Sequence, residues 1–335
     1  HCWAAFRRGY LVHEIYYGDA TVHAKYEIDS LMKTATALIM GIAWTKGMFD
    51  LDRPLEFYGV QPSTTTVDDR LSQTYYSRLT ARHLLGQVSG VELHGDTEGH
   101  LAYPPGAMAT YSSDDAIQLL ERLLAKLIGS EETSRWANDN LAEPLGLPRV
   151  FTADGPQFSA GGGQLLTCRG IARIGQLILN KGRWRDAQGV PYQLISGDYM
   201  AMMMTSSFPH AASGYGFLLW LWQPGGANRS YPRWGSSPGC SQVAYSDSNN
   251  YGLDRSAYMA VGWLARLLMI VPDEDLVLVT LGNTLVGSAA CDCRYEPCAS
   301  TNIDDSYSIF LAWNGAKKMF DSSPPANHAV DSQAS

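Results

Sequence analysis

Charge is scarce in this chain. Asp, Glu, Lys and Arg make up 17% of its 335 residues, against 45% hydrophobic residues. That balance reads as a globular protein with ample core, and the length allows one large domain or two. Basic residues are the scarcer sign, 25 against 33 acidic, for a net charge of −8. With no basic stripe, this argues against a nucleic-acid partner. No run of eighteen apolar residues occurs, so no membrane span is expected. There is no internal repeat. Metal and phosphate chemistry lack their signatures too. Cys291-x-Cys293-x4-Cys298 has no nearby histidine or fourth cysteine, and His83, His94 and His100 match no zinc-hydrolase spacing. Gly161-Gly162-Gly163 is followed by no Lys-Ser/Thr, so it reads as a tight turn rather than a phosphate loop. No metal and no cofactor is expected. A signal peptide is also missing, and the chain begins at His1 without Met, which reads as a mature, processed or truncated start.

Six cysteines are present: Cys2, Cys168, Cys240, Cys291, Cys293 and Cys298. An even number suits disulfides in an oxidising compartment, with fifteen pairings open. One sequon, Asn228-Arg229-Ser230, makes Asn228 a glycosylation candidate. Both features point to a secreted protein or another oxidising setting: extracellular, periplasmic or the lumen of an endomembrane.

The most telling stretch runs from Asp29 to Gly47. Between Leu31 and Trp44 its one charge is Lys33, and its other polar groups are Thr34 and Thr36. A helix apolar on every side belongs inside a domain. Ser30 sits where that helix should begin and Gly47 where it should stop. Ser30 and Lys33 are three apart, so they share a helix face. A lysine buried there loses hydration, its pKa falls, and a partly neutral amine can take the proton of a serine hydroxyl. The helix N-terminus adds free backbone N–H groups for an oxyanion. Against this stands a bland reading, in which Lys33 snorkels to the surface and Ser30 is a cap.

In chain order, residues 4–28 read as strands, with a turn at Gly18-Asp19. After the Ser30 helix, Leu79–Leu85 reads as a short helix. Ser113-Asp114-Asp115 caps an amphipathic helix through Ile128, with Ile117, Leu120, Leu124 and Ile128 on one face. Further helices are predicted over 131–141, 167–180 and 196–204. Phe217–Trp222 is strand-like, and 223–256 a long loop. Residues 257–270 and 276–281 read as two strands around Pro272-Asp273-Glu274-Asp275. A closing helix over 305–320 precedes a polar tail. The pattern predicts an α/β (α+β) protein: an antiparallel sheet flanked by helices, with a mostly helical insertion. The sheet domain would be discontinuous, 1–65 and 205–325, the insertion 66–204, and 326–335 a flexible tail.

Ordered blocks along the chain carry a family resemblance. Ser30-x-x-Lys33 opens the buried helix, Tyr111-Ser112-Ser113 precedes a capped helix, and Ala260-Val261-Gly262-Trp263 lies near the C-terminus. Leu84–Gly90 looks like an "LLtHtSG" block, Pro144–Leu147 like "PLGm", and Gly161–Asn180 like "GGl-t-rDlArfgqlmLn". With Gly214-Tyr215-Gly216 and Val271-Pro272-x3-Leu276-Val277, the chain resembles the serine β-lactamase and penicillin-binding-protein superfamily over nearly its whole length. The branch is that of class C enzymes, family VIII esterases, D-aminopeptidases and 6-aminohexanoate-dimer hydrolase, with its β-lactamase/transpeptidase-like fold.

The resemblance implies Ser30 as nucleophile, Lys33 as helper in its deprotonation and Tyr111 as general base. A tyrosine titrates ordinarily near 10, and a neighbouring ammonium favours its phenolate. The oxyanion hole would be the backbone N–H groups of Ser30 and Trp263. Ser113, Tyr215, Ala260, Gly262, Trp263 and Arg266 are substrate-binding candidates. Trp220, Trp222, Trp234 and Trp263 offer an aromatic wall or core packing. The chain departs from the branch at Ser113, at Gly170, at Ala260, which removes a cation for a substrate carboxylate, and at Leu264-Ala265-Arg266. The last arginine reads first as an exposed strand residue. The implied function is a secreted serine hydrolase working through an acyl-enzyme on an ester or amide (small esters, cyclic or linear amides or D-amino-acid peptides), or transferring the acyl group to another nucleophile. Oligomeric state is left open. Two rivals stand beside it: a catalytically inactive binding or scaffold relative, and a Ser237 triad built on Gly235-Ser236-Ser237-Pro238-Gly239, a G-x-S-x-G match flanked by loop.

Overall fold

The computed structural model describes residues 1–60, 74–90, 103–111, 115–151, 155–224, 230, 232, 253–262, 266–282 and 312–318. Strands β1 (Cys2–Arg7) and β2 (Tyr10–Tyr16) form a hairpin closed by Arg8 and Gly9, both at positive φ, 53° and 78°. That is the backbone a two-residue hairpin loop requires. Short strand β3 (Tyr26–Glu27) then leads into helix α1 (Leu31–Thr45). Gly47 at φ 71° ends α1, and Met48 N–H donates to Ala43 O. The helical middle follows: α2 (Ala81–Leu85), α3 (Asp115–Ile128), α4 (Thr133–Ala137) and a π-turn over Asn138–Ala142. Strand β4 (Leu165–Leu166) pairs with β3, Tyr26 opposite Leu166, and runs into α5 (Cys168–Leu179), whose N-cap is Thr167. A small hairpin β5 (Arg183–Arg185) and β6 (Pro191–Gln193), then α6 (Gly197–Met203) and α7 (Pro209–Ala212), complete this part.

The chain returns to the main sheet with β7 (Trp220–Trp222), β8 (Ala257–Gly262), β9 (Arg266–Val271) and β10 (Leu276–Leu281). The sheet has six antiparallel strands in the order β2-β1-β10-β9-β8-β7, so the first described strand of the chain pairs with the last. Central strands covered on both faces read as continuous apolar runs, and Arg266-Leu-Leu-Met-Ile-Val271 is buried throughout. Adjacent β1 residues point to opposite faces. Cys2 meets Cys168 of α5, their Cα atoms 6.3 Å apart in disulfide geometry. Trp3 meets Gly315 of a helix α8 over 312–318. Among the described residues no helix is long and apolar enough to cross a membrane.

The expected class, an antiparallel sheet flanked by helices, is the one observed. Three elements differ from the sequence reading. Residues 257–270 are not one strand but the β8–β9 hairpin, with Gly262 opposite Arg266. The run has no polar turn signal, so period alone did not mark the reversal. Phe217–Trp222 is extended over Trp220–Trp222, because Leu218 sits at φ 49°. The β5–β6 hairpin was not anticipated; its turn is folded by Asp186, whose Oδ1 accepts from the N–H groups of Gln188 and Val190.

Candidate active site

The start of α1 is the centre of the site. Ser30 is the N-cap, yet its side chain makes no capping hydrogen bond. Its Oγ accepts from Lys33 Nζ at 3.0 Å instead. Lys33 is 2% exposed, so the amine does not snorkel. It also donates to Gly161 O at 3.1 Å. The Tyr111 ring lies close by, its centroid 5.0 Å from Lys33 Nζ. Ser30, half-buried, and the buried Lys33 and Tyr111, from two distant parts of the chain, therefore meet in one place. Tyr111 itself is 3% exposed.

Loops are pinned to this helix by the two threonines that interrupt its apolar surface. Thr34 Oγ1 donates to Leu218 O at 2.7 Å, and Thr36 Oγ1 to Ala160 O at 2.8 Å. The second bond holds the segment that presents the Gly161 carbonyl. From its other side, Gln118 of α3 clamps the same segment: its Nε2 donates to Phe158 O and its Oε1 accepts from Ala160 N–H at 3.0 Å. Behind it Gln118 bonds Glu121, a buried carboxyl that also takes the Thr133 hydroxyl. Burial pushes the Glu121 pKa up, against the pull of those two hydrogen bonds. Ile28 N–H donates to Gln164 O, which ties the residue before the Ser30 turn to the far end of the Gly161 segment.

Aromatic rings enclose the other side. Trp220 stacks on Tyr111 with centroids 5.8 Å apart, and Tyr215 meets Trp220 edge-on at 4.9 Å. Burial holds the Tyr215 hydroxyl well above its ordinary pKa, with Tyr111 adding to the shift and Gln87 opposing it. Three non-glycine residues around this site sit at positive φ: Asp29 at 44°, Gln87 at 57° and Leu218 at 49°. Such strain persists where surroundings over-determine it, as at working sites. The Gln87 carbonyl accepts from Thr110 N–H, which fixes the approach to Tyr111.

The remaining candidates are placed as follows. Ala260 and Gly262 are in β8, and Gly262 presses on the Ser30 turn: a Cβ there would lie 2.8 Å from Ile28 O. Arg266 corrects the reading as an exposed strand arginine. It is 6% exposed and forms an ion pair with Asp29, because β9 begins beneath the turn that holds Ser30. Trp222 is buried in β7, its indole N–H donating to Leu253 O. Ser113, Trp234, Trp263, Asn228, Ser237 and Cys240, Cys291, Cys293 and Cys298 lie outside the described residues. Sequence reasoning missed the roles of Asp29, Gly161 and Gln118. The positive φ next to Ser30 leaves only a weak signal in an aspartate, and a carbonyl acceptor leaves none at all.

The architecture is that of the β-lactamase/transpeptidase fold. A solved structure described as "putative beta-lactamase" from Bacteroides dorei is similar with a TM-score of 0.63 and 16% identity, over 93% of each chain. Another, described as "Putative 6-aminohexanoate-dimer hydrolase" from Bacillus anthracis, gives a TM-score of 0.61 and 16% identity, over 96% of this chain and 79% of the other. The family model described as Beta-lactamase matches residues 2–296, and the chain belongs to that family. A human protein named "Putative beta-lactamase-like 1" is 28% identical over 150 residues, 39% of this chain and 29% of the human one. The chain thus matches less than a third of that relative's length. The resemblance read from the motifs and the family agree.

Proposed function

We propose that this protein is a serine hydrolase that cleaves a small ester or amide through an acyl-enzyme on Ser30. One observation carries the reading: a buried amine, Lys33, hydrogen-bonded to the Ser30 hydroxyl at 3.0 Å and 5.0 Å from the Tyr111 ring. The Lys33 charge favours the phenolate of Tyr111, which takes the Ser30 proton as Oγ bonds to the substrate carbonyl carbon. The backbone N–H of Ser30 stabilises the oxyanion, together with that of Trp263 as the family resemblance implies. As the carbon–oxygen or carbon–nitrogen bond breaks, Tyr111 returns the proton to the leaving group. Water then attacks the acyl-enzyme, losing its proton to Tyr111, which passes it to Ser30 Oγ as the bond to the acyl carbon breaks and the acid leaves. An amine or alcohol in place of water would give acyl transfer by the same steps.

A fluorophosphonate probe tests this. The proposal expects one label, on Ser30, abolished in Ser30→Ala. Absence of label on the folded protein would favour a binding or scaffold role, and label on Ser237 would favour the triad. We further propose an oxidising compartment, supported by the disulfide geometry of Cys2 and Cys168 and by the sequon at Asn228. Thiol titration of the denatured, unreduced protein would contradict this by finding six free thiols.

A further inference from the structure

Besides Lys33, a second cation, Arg266, lies at the Ser30 turn, and it is paired within the protein. Asp29 precedes Ser30 directly, so their Cα atoms are about 3.8 Å apart. It holds φ 44°, a conformation that Asp tolerates better than most residues. Its carboxylate is paired with Arg266, the first residue of β9 and the partner of Gly262 across the β8–β9 hairpin. Gly262 in turn has no room for a Cβ against Ile28 O, Leu31 Cδ1 and Asp29 Cβ. The guanidinium is therefore held at the Ser30 turn by the sheet. Burial acts against its charge, while Glu27 is a second acidic neighbour acting for it. On the adjoining strand, Ala260 offers no cation.

We propose that Asp29 is an internal counter-ion for Arg266, occupying the place a substrate carboxylate would take, so that the site selects esters and amides of uncharged acyl groups. The selection rests on the proposed hydrolase reading. A buried guanidinium stripped of its counter-ion is costly, and a bound anion relieves that cost. Substituting Asp29 should thus open the site to anionic acyl groups. Asp29→Asn is the variant of choice, because Asn also tolerates positive φ.

Two p-nitrophenyl esters of equal carbon count provide the comparison, the valerate and the hemiglutarate, which ends in a carboxylate. Wild type is expected to favour the valerate. In Asp29→Asn the ratio of kcat/KM for hemiglutarate over valerate should rise by about tenfold or more, the worth of a charged hydrogen bond. Arg266→Gln added to Asp29→Asn should abolish the gain. Adding Glu27→Gln instead should enlarge it. An unchanged ratio in Asp29→Asn and in the Glu27→Gln/Asp29→Asn double variant overturns the inference. A measurement independent of catalysis separates it from the hydrolase reading. Free glutarate should raise the Tm of Asp29→Asn and not that of wild type. If neither ester is turned over and Ser30 resists acylation, the hydrolase reading fails while this shift still decides the counter-ion role.

Discussion

Replacing Gly262 by alanine probes how closely the sheet supports the nucleophile. The added Cβ would stand 2.8 Å from Ile28 O, 2.9 Å from Leu31 Cδ1 and 3.3 Å from Asp29 Cβ. The first contact is with backbone, which has no rotamer to escape into. Ordinary contact begins near 3.4 Å, so β8 and the Ser30 turn must separate by about 0.6 Å (3.4 − 2.8). Overpacking of this kind costs about 1–3 kcal/mol. Misplacing a reacting group by about 1 Å costs on the order of a hundredfold in rate, so a loss of about tenfold or more in kcat/KM is expected. Gly175→Ala is the control. Its Cβ would meet Leu268 Cδ1 and Val277 Cγ1 at 2.7 Å, side chains beneath α5 rather than the backbone of the Ser30 turn. It should lower the urea midpoint similarly yet leave kcat/KM nearly intact where folded. Equal rate losses in both variants, or none in Gly262→Ala, would refute the reasoning.

Three further outcomes follow from particular contacts. Lys33→Ala removes the donor to Ser30 and to Gly161 O; ester hydrolysis should fall by about 10²- to 10⁴-fold, and unchanged activity would remove Lys33 from the chemistry. Tyr111→Phe keeps the ring against Trp220 and removes the hydroxyl, so activity should fall by a similar factor with Tm nearly constant. His83 stacks on Phe208, and burial holds its pKa down to about 4. Its folded value lies below the unfolded value of about 6.5. Its contribution is therefore complete above pH 6.5 and is lost as pH falls towards 4. Urea unfolding should show about 2 kcal/mol less stability at pH 5 than at pH 7.5 from this group. In His83→Gln that part of the slope should vanish, and an unaltered slope would contradict it.

The parts legible in sequence were those where local and global signals agree. The Ser30 helix announced itself by an apolar surface interrupted at Lys33, Thr34 and Thr36, and each of those polar groups has a partner in the fold. Thr167 and Thr80 cap α5 and α2 through their hydroxyls, as such residues should. The β8–β9 reversal was hidden because both strands are buried and apolar, so period gave no break. What brings Tyr111 to Lys33 was also illegible. The Gln87 turn, the Trp220 stack and the Gln118 clamp join segments far apart in sequence, through backbone carbonyls and ring faces that carry no motif. Arg266 was misjudged because its partner, Asp29, lies 237 positions earlier (266 − 29).

The account stands on Ser30 carrying the acyl group. Intact-mass spectrometry during turnover of a slow p-nitrophenyl ester, followed by peptide mapping, reads this directly. The expected result is a mass increase of one acyl group on the peptide containing Ser30, decaying as substrate is exhausted and missing in Ser30→Ala. An acyl group on another residue, or steady hydrolysis with no acylated protein after acid quenching at any time, would contradict it.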